Sequence, residues 1–166
     1  MKKRLLSAAL ALALAVACLT GCGAASEEKT VAKALGLEKL PAVTHISSCD
    51  SHGGFHGDGV SCIALTFEDD QLEQQLAADP AWNSLPADET VQALVWGVED
   101  GTVSTGPCLT DGDGQPLVPP VEKGCYRLID RHSDQQGDIL SRGSFNFTVG
   151  VYDAEARVLY CCELDT

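Results

Sequence analysis

The sequence predicts an α+β domain: a mostly antiparallel sheet of about five strands with two short helices on one face. Three observations carry that expectation. The C-terminal stretch alternates apolar and polar residues on both sides of a short turn, which is the pattern of a hairpin. A second pair of strand-like runs flanks a glycine-rich loop, and apolar residues at helical spacing lie between the two pairs. Parallel βαβ winding is the competing arrangement, and tight connections at both ends of the domain argue against it.

Taken in order, residues 1–21 stand apart from the domain. Met1-Lys2-Lys3-Arg4 is a basic start, and Leu5 to Leu19 is an Ala- and Leu-rich run of signal-peptide length. It ends in Leu19-Thr20-Gly21-Cys22, which looks like a bacterial lipobox. The chemistry needs that order, because the Cys22 thiol is alkylated with diacylglycerol before a peptidase cuts ahead of it. Small residues at Thr20 and Gly21 let the backbone enter that peptidase, whereas Cys18 has Ala15 where the aliphatic residue should stand. Residues 1–21 are therefore expected to be a lipoprotein signal peptide, 22–41 a lipidated cysteine and tether with a short helix near Val31 and Leu35, and 42–166 a single domain.

Within that domain Ala42 to Cys49 forms a weak strand, with Val43, His45, Ser47 and Cys49 on one face. Val60 to Phe67 is a clearer one, with Ile63, Leu65 and Phe67 sharing a face by period two. Glu68 to Ala78 reads as a helix with Leu72 and Leu76 on its apolar stripe and acids at its start, where the dipole favours them. Pro86-Ala87-Asp88-Glu89 opens a second helix, with Val91, Leu94, Val95 and Val98 at i, i+3, i+4 and i+7 and Gly97 or Gly101 to end it. Residues 101–120 carry Gly, Pro and Thr and read as irregular. Asp111-Gly112-Asp113-Gly114 lacks the further ligands of a calcium loop and reads as a turn. Cys125 to Arg131 is a strand with Tyr126 and Leu128 on one face. Phe145 to Tyr152, a turn at Asp153-Ala154-Glu155-Ala156, and Val158 to Leu164 complete the C-terminal hairpin.

Charge and cysteine content narrow the partners. The chain has 11 basic and 24 acidic residues; residues 1–21 hold three of the basic ones and no acid, which leaves 8 against 24 and a net charge of −16. So acidic a surface excludes nucleic acid as a partner and attracts cations or basic proteins. Beyond Cys18 and Cys22 there are Cys49, Cys62, Cys108, Cys125, Cys161 and Cys162, without zinc-type Cys-x-x-Cys spacing. Cys161 and Cys162, adjacent in a strand, face opposite ways. Cys49 and Cys62 flank the glycine loop as cross-strand neighbours, and at most one disulfide is expected there, with other cysteines acting as apolar fillers.

Candidate chemistry gathers in two places. His52-Gly53-Gly54-Phe55-His56-Gly57-Asp58-Gly59 puts two imidazoles and a carboxylate in a loop shaped by four glycines. His52 and His56 have the spacing of helical zinc ligands, but the glycines remove the helix that gives the spacing meaning. In a loop, His52, His56 and Asp58 can still hold a divalent metal. Asp130-Arg131-His132 follows a strand, and with Arg142 it offers a base or an anion clamp if that strand lies beside Val60–Phe67. His52, Phe55, His56, Asp58, Asp130, Arg131, His132 and Arg142 are thus the candidate binding residues. No nucleophile elbow, phosphate-binding loop or dinucleotide fingerprint occurs.

The glycine-loop motif, Asp130-Arg131-His132, Ser144-Phe145-Asn146-Phe147-Thr148, Tyr152-Asp153 and the terminal Asp165-Thr166 together resemble a group of small lipoproteins from Firmicutes to which no activity is assigned. The resemblance implies a Gram-positive host and a domain on the outer face of the cytoplasmic membrane, and it supplies no catalytic residues. The expected function is a surface-anchored domain that binds a ligand, ion or envelope partner through the glycine loop. The alternative is a small metal-dependent hydrolase using His52, His56 and Asp58; the absence of a complete catalytic set in the sequence leans against an enzyme.

Overall fold

The structure, a computed structural model, describes residues 26–53, 57–134 and 137–166. Cys22, Phe55 and His56 lie outside the described residues. Eight strands occur among them: β1 (Val43–Asp50), β2 (Gly59–Phe67), β3 (Asn83–Ser84), β4 (Val98–Asp100), β5 (Val103–Thr105), β6 (Gly124–Asp130), β7 (Asn146–Asp153) and β8 (Val158–Asp165). Helix α1 covers 26–34, α2 Gln71–Ala78 and α3 Glu89–Val95, with a 3-10 turn at Ile139–Ser141. Six strands form one sheet in the order β1-β2-β8-β7-β6-β3, every neighbouring pair antiparallel, and β4 and β5 pair separately. The α+β class and both hairpins are as the sequence predicts.

The placement of the helices differs from expectation. The sheet is covered on both faces, so α2 and α3 lie on opposite sides of it. On one face Val31 and Leu35, from α1 and its exit, and Leu72 and Leu76 of α2 pack with Leu65, Phe67, Tyr152 and Leu159. On the other, Val91, Leu94 and Val95 of α3 join Leu109 and Val118 over Tyr126, Phe147, Val149, Val151 and Leu164. The physical reason is legible in β8, where Leu159 and Cys161 on one row and Cys162 and Leu164 on the other are apolar, so that both rows need cover. The chain changes face by way of β3 at the far edge of the sheet.

Gly150 shows how closely the first face is packed. A Cβ there would stand 2.7 Å from Trp82 and 2.8 Å from Leu35, so glycine is what lets those two side chains seat on the sheet.

Three boundaries also move. Ser26–Lys29, expected in a flexible tether, belong to α1, and Val31 and Leu35 are fully buried, so the domain starts before residue 42. Gly36, at φ +64°, closes that helix, with Leu37 N–H donating to Ala32 O and Gly36 N–H to Lys33 O. Helix α3, whose Asp88 cap accepts from Val91 N–H, stops before Val98. Gly97 turns the chain out at φ +81°, and Val98 opens the exposed β4–β5 hairpin, whose turn and second strand lie in the stretch expected to be irregular.

Candidate functional site

The register brings the expected polar residues to one end of the sheet. Asp50 ends β1, Gly59 begins β2, Asp165 ends β8, Asn146 begins β7 and Asp130 ends β6. Gly59 is paired with Asp165, Asp165 with Asn146, and Asp130 with Phe147. A rim so built fixes side chains on strand ends while leaving them open to solvent.

At the base of the glycine loop, Ser51 closes the hairpin three ways. Its N–H and Oγ donate to Val60 O at 2.8 and 3.0 Å, and its Oγ accepts from Val60 N–H at 2.9 Å. His52 then folds onto Gly59, where a Cβ would come within 2.6 Å of the His52 Cα, so this position needs glycine for close approach. Asp50 Oδ1 accepts from the His52 N–H at 2.8 Å and stands 2.7 Å from its Nδ1. The backbone N–H first, and the imidazole second, hold the Asp50 carboxyl below its ordinary pKa.

The chain of contacts continues across the rim. His52 Nε2 is 3.5 Å from Asp165 Oδ2, and Arg131 Nη2 is 3.0 Å from Asp165 Oδ1. Asn146, with its amide nitrogen turned inward, donates to Asp165 Oδ1 at 2.9 Å. Arg131 is itself tied to the start of β7, donating through N–H to Asn146 O and through Nη2 to Phe147 O.

Asp130, His132 and Arg142 form a second cluster. Arg142 Nη1 donates to Asp130 Oδ2 at 2.7 Å, and the His132 N–H donates to Asp130 Oδ1 at 3.0 Å. His132 Nε2 lies 3.0 Å from Ser144 Oγ, and its Nδ1 3.0 Å from the Asp134 backbone. Burial alone would raise the Asp130 pKa; the Arg142 and His132 hydrogen bonds and charges outweigh it and hold the carboxyl below its usual value.

The condition for Asp130 and His132 to approach the glycine loop, β6 beside β2, is not met: β8 and β7 stand between them. Arg131 therefore reaches the glycine-loop cluster through Asp165. Asp130 and His132, flanking it in the chain, belong to the neighbouring group. Asp165 and Asn146 are members that reasoning on motifs passed over. Hairpin counting finds them: stepping outward from the Asp153–Val158 pair sets Asn146 opposite Asp165.

Of the expected metal ligands, the structure describes His52 and Asp58, and carboxylate oxygens face both ring nitrogens of His52. Among the described residues no three His, Cys, Asp or Glu side chains are grouped to hold a metal ion. Beside the loop base lies a cleft of about 320 Å³, lined by Cys49, Asp50, Ser51, Val60, Thr110 and Asp111 among others. Asp111 forms the turn the sequence predicts, its Oδ1 accepting from Asp113 and Gln115 N–H.

The expected disulfide is corrected as well. Cys49 and Cys62 are cross-strand partners, as foreseen, but Cys62 is bonded to Cys162, its partner on the other side. Cys161 packs on the opposite face from Cys162, as adjacency in a strand requires. Among the described residues no helix is long and apolar enough to cross a membrane. Comparisons with protein-family models, curated proteins and solved structures found no match.

Proposed function

We propose that the protein is a lipid-anchored binding domain of the bacterial cell surface, tethered through Cys22, whose cleft beside the glycine loop receives a cationic ligand or the basic face of an envelope partner. The observation that carries this reading is the cleft. Its described lining includes the carboxylates of Asp50 and Asp111 and neither Lys nor Arg. Its wall is backbone held by the three Ser51–Val60 hydrogen bonds. Two carboxylates on a strongly acidic chain concentrate cations. His52, Asp165, Arg131 and Asn146 then act as the frame that fixes the loop base, since their polar groups face one another. The lipobox-like Leu19-Thr20-Gly21-Cys22 and the resemblance to Firmicutes lipoproteins support the location.

Metal-dependent hydrolysis by His52, His56 and Asp58 is the reading to be separated from it. Thermal shift of the purified protein with calcium, manganese, zinc and a lysine-rich peptide does so. A rise in Tm that is lost in the double substitution Asp50→Asn, Asp111→Asn is the expected result. No rise with any of the four overturns the binding reading. A zinc or manganese shift that survives the double substitution but disappears with His56→Ala would move the assignment to a metal site in the glycine loop. Incorporation of a labelled fatty acid, abolished by Cys22→Ala, tests the anchor.

A further inference from the structure

Three cysteines stand in one row across three neighbouring strands. Cys49 of β1 is the register partner of Cys62 of β2, and Cys62 is in turn the partner of Cys162 of β8. All three therefore point to the face that carries α3. The bond joins Cys62 to Cys162, while Cys49 is a free, exposed thiol. Cys49 and Cys62 line one cavity of about 180 Å³ together with Leu117 and Tyr160, so the bonded cysteine and the free one border the same space. Directly opposed residues of an antiparallel pair have Cβ atoms about 4.5–5.5 Å apart, close to the separation a disulfide spans.

We propose that Cys49, Cys62 and Cys162 form an intramolecular thiol–disulfide exchange site, in which the bond moves between the β2–β8 pair and the β1–β2 pair. The Cys49 thiolate attacks Cys62 Sγ, a Cys49–Cys62 bond forms and the Cys62–Cys162 bond breaks. The electron pair leaves on Cys162 Sγ, which takes up the proton that Cys49 gave up. One disulfide and one thiol are present before and after, so no outside oxidant or reductant enters. The order of the strands favours the step. A thiolate displaces the far sulfur along the extension of the S–S axis, and β2 lies between β1 and β8, which puts attacker and leaving group on opposite sides of Cys62.

The remaining thiols are poor competitors. Burial raises the Cys108 thiol and pushes Cys125 and Cys161 up to about 12, and Cys161 faces the other side of the sheet. The charged residues that line the cleft beside Cys49 are Asp50 and Asp111, and the attacking species is the thiolate, so the exchange quickens as pH rises. The consequence reaches the glycine loop. In the Cys62–Cys162 form the bond staples two central strands. In the Cys49–Cys62 form it closes the loop that carries His52 at its base.

The test is peptide mapping by mass spectrometry on oxidised, purified protein held without added thiol at pH 7 and pH 8.5, with free thiols blocked before unfolding. The expected result is a Cys49–Cys62 linked peptide that accumulates with time and several-fold faster at the higher pH. It should be unaffected by Cys161→Ser and absent in Cys49→Ser, which keeps only the Cys62–Cys162 link. In Cys162→Ser the Cys49–Cys62 link should form during oxidative expression. Persistence of the Cys62–Cys162 link alone at both pH values overturns the proposal. So does a Cys49–Cys62 link that arises only after unfolding.

Discussion

The two hairpins that meet at the rim are built to opposite specifications. In β7 six consecutive residues, Phe147 to Tyr152, are buried, and β8 turns Leu159 and Cys161 to one face and Cys162 and Leu164 to the other. In β1 six of eight residues are exposed, and the strand is an edge of the sheet. Thr148, the buried polar residue of the central hairpin, is satisfied by Glu163 at 2.9 Å. The difference separates two jobs. The central hairpin holds Asn146 and Asp165 in place because almost any change within it disturbs a core. The edge hairpin contributes less to stability and is free to carry a shaped loop and a thiol into solvent.

The largest expected effect tests that division directly. Phe147 is fully buried and meets Phe145 edge-on, with ring centroids 6.4 Å apart. Phe147→Ala should cost about 3–5 kcal/mol, whereas Ile46→Ala on half-exposed β1 should cost about 1 kcal/mol. Urea unfolding with the disulfide intact measures both, and equal losses would break the comparison. Gly150→Ala should fall between them. Its new Cβ would overlap Trp82 and Leu35, and overpacking of that kind costs about 1–3 kcal/mol. A neutral Gly150→Ala would mean that α1 and Trp82 seat on the sheet less tightly than the distances require.

How much could be read from sequence follows the same division. The central hairpin was legible because its alternation is strong, and with it the pairing of Asn146 and Asp165 could be counted out. The apolar residues on both rows of β8 also held the reason that α2 and α3 take opposite faces, but two-sided cover cannot be told from one-sided cover until neighbouring strands are known. Residues 98–105 escaped because strands of three residues show no period. Cys62 has a cysteine partner on each side, and the nearer, Cys49, is visible from the loop. Cys162 is 100 residues away and enters only through the sheet order. At the rim, motifs picked out Arg131 and His132 together. Adjacent residues at a strand end diverge, so Arg131 went to Asp165 and His132 to Ser144.

The smallest predicted effect sharpens the contrast within the rim itself. Asp50 and Asp130 are both held below the ordinary carboxylate value of 3.8, by different neighbours. For Asp50 the main donor is the His52 backbone; for Asp130, burial pushes upward and Arg142 and His132 pull further down. A depressed folded pKa means that the stabilisation is present above the unfolded value and is lost as pH falls through the folded one. In Arg142→Gln the burial of Asp130 remains while its chief opposing donor is gone. Asp130 should then titrate at higher pH than in the native protein, and the acid-induced loss of stability should begin earlier. Asp50 has no contact with Arg142 and should keep its midpoint, which makes it the internal control. Carboxyl carbon NMR across the acid range reads both groups in one experiment, and the stability change at pH 7 should stay below about 1 kcal/mol. If Asp50 moves with Asp130, the two clusters are one electrostatic unit, and the Asp165–Arg131 link between them carries more than a frame.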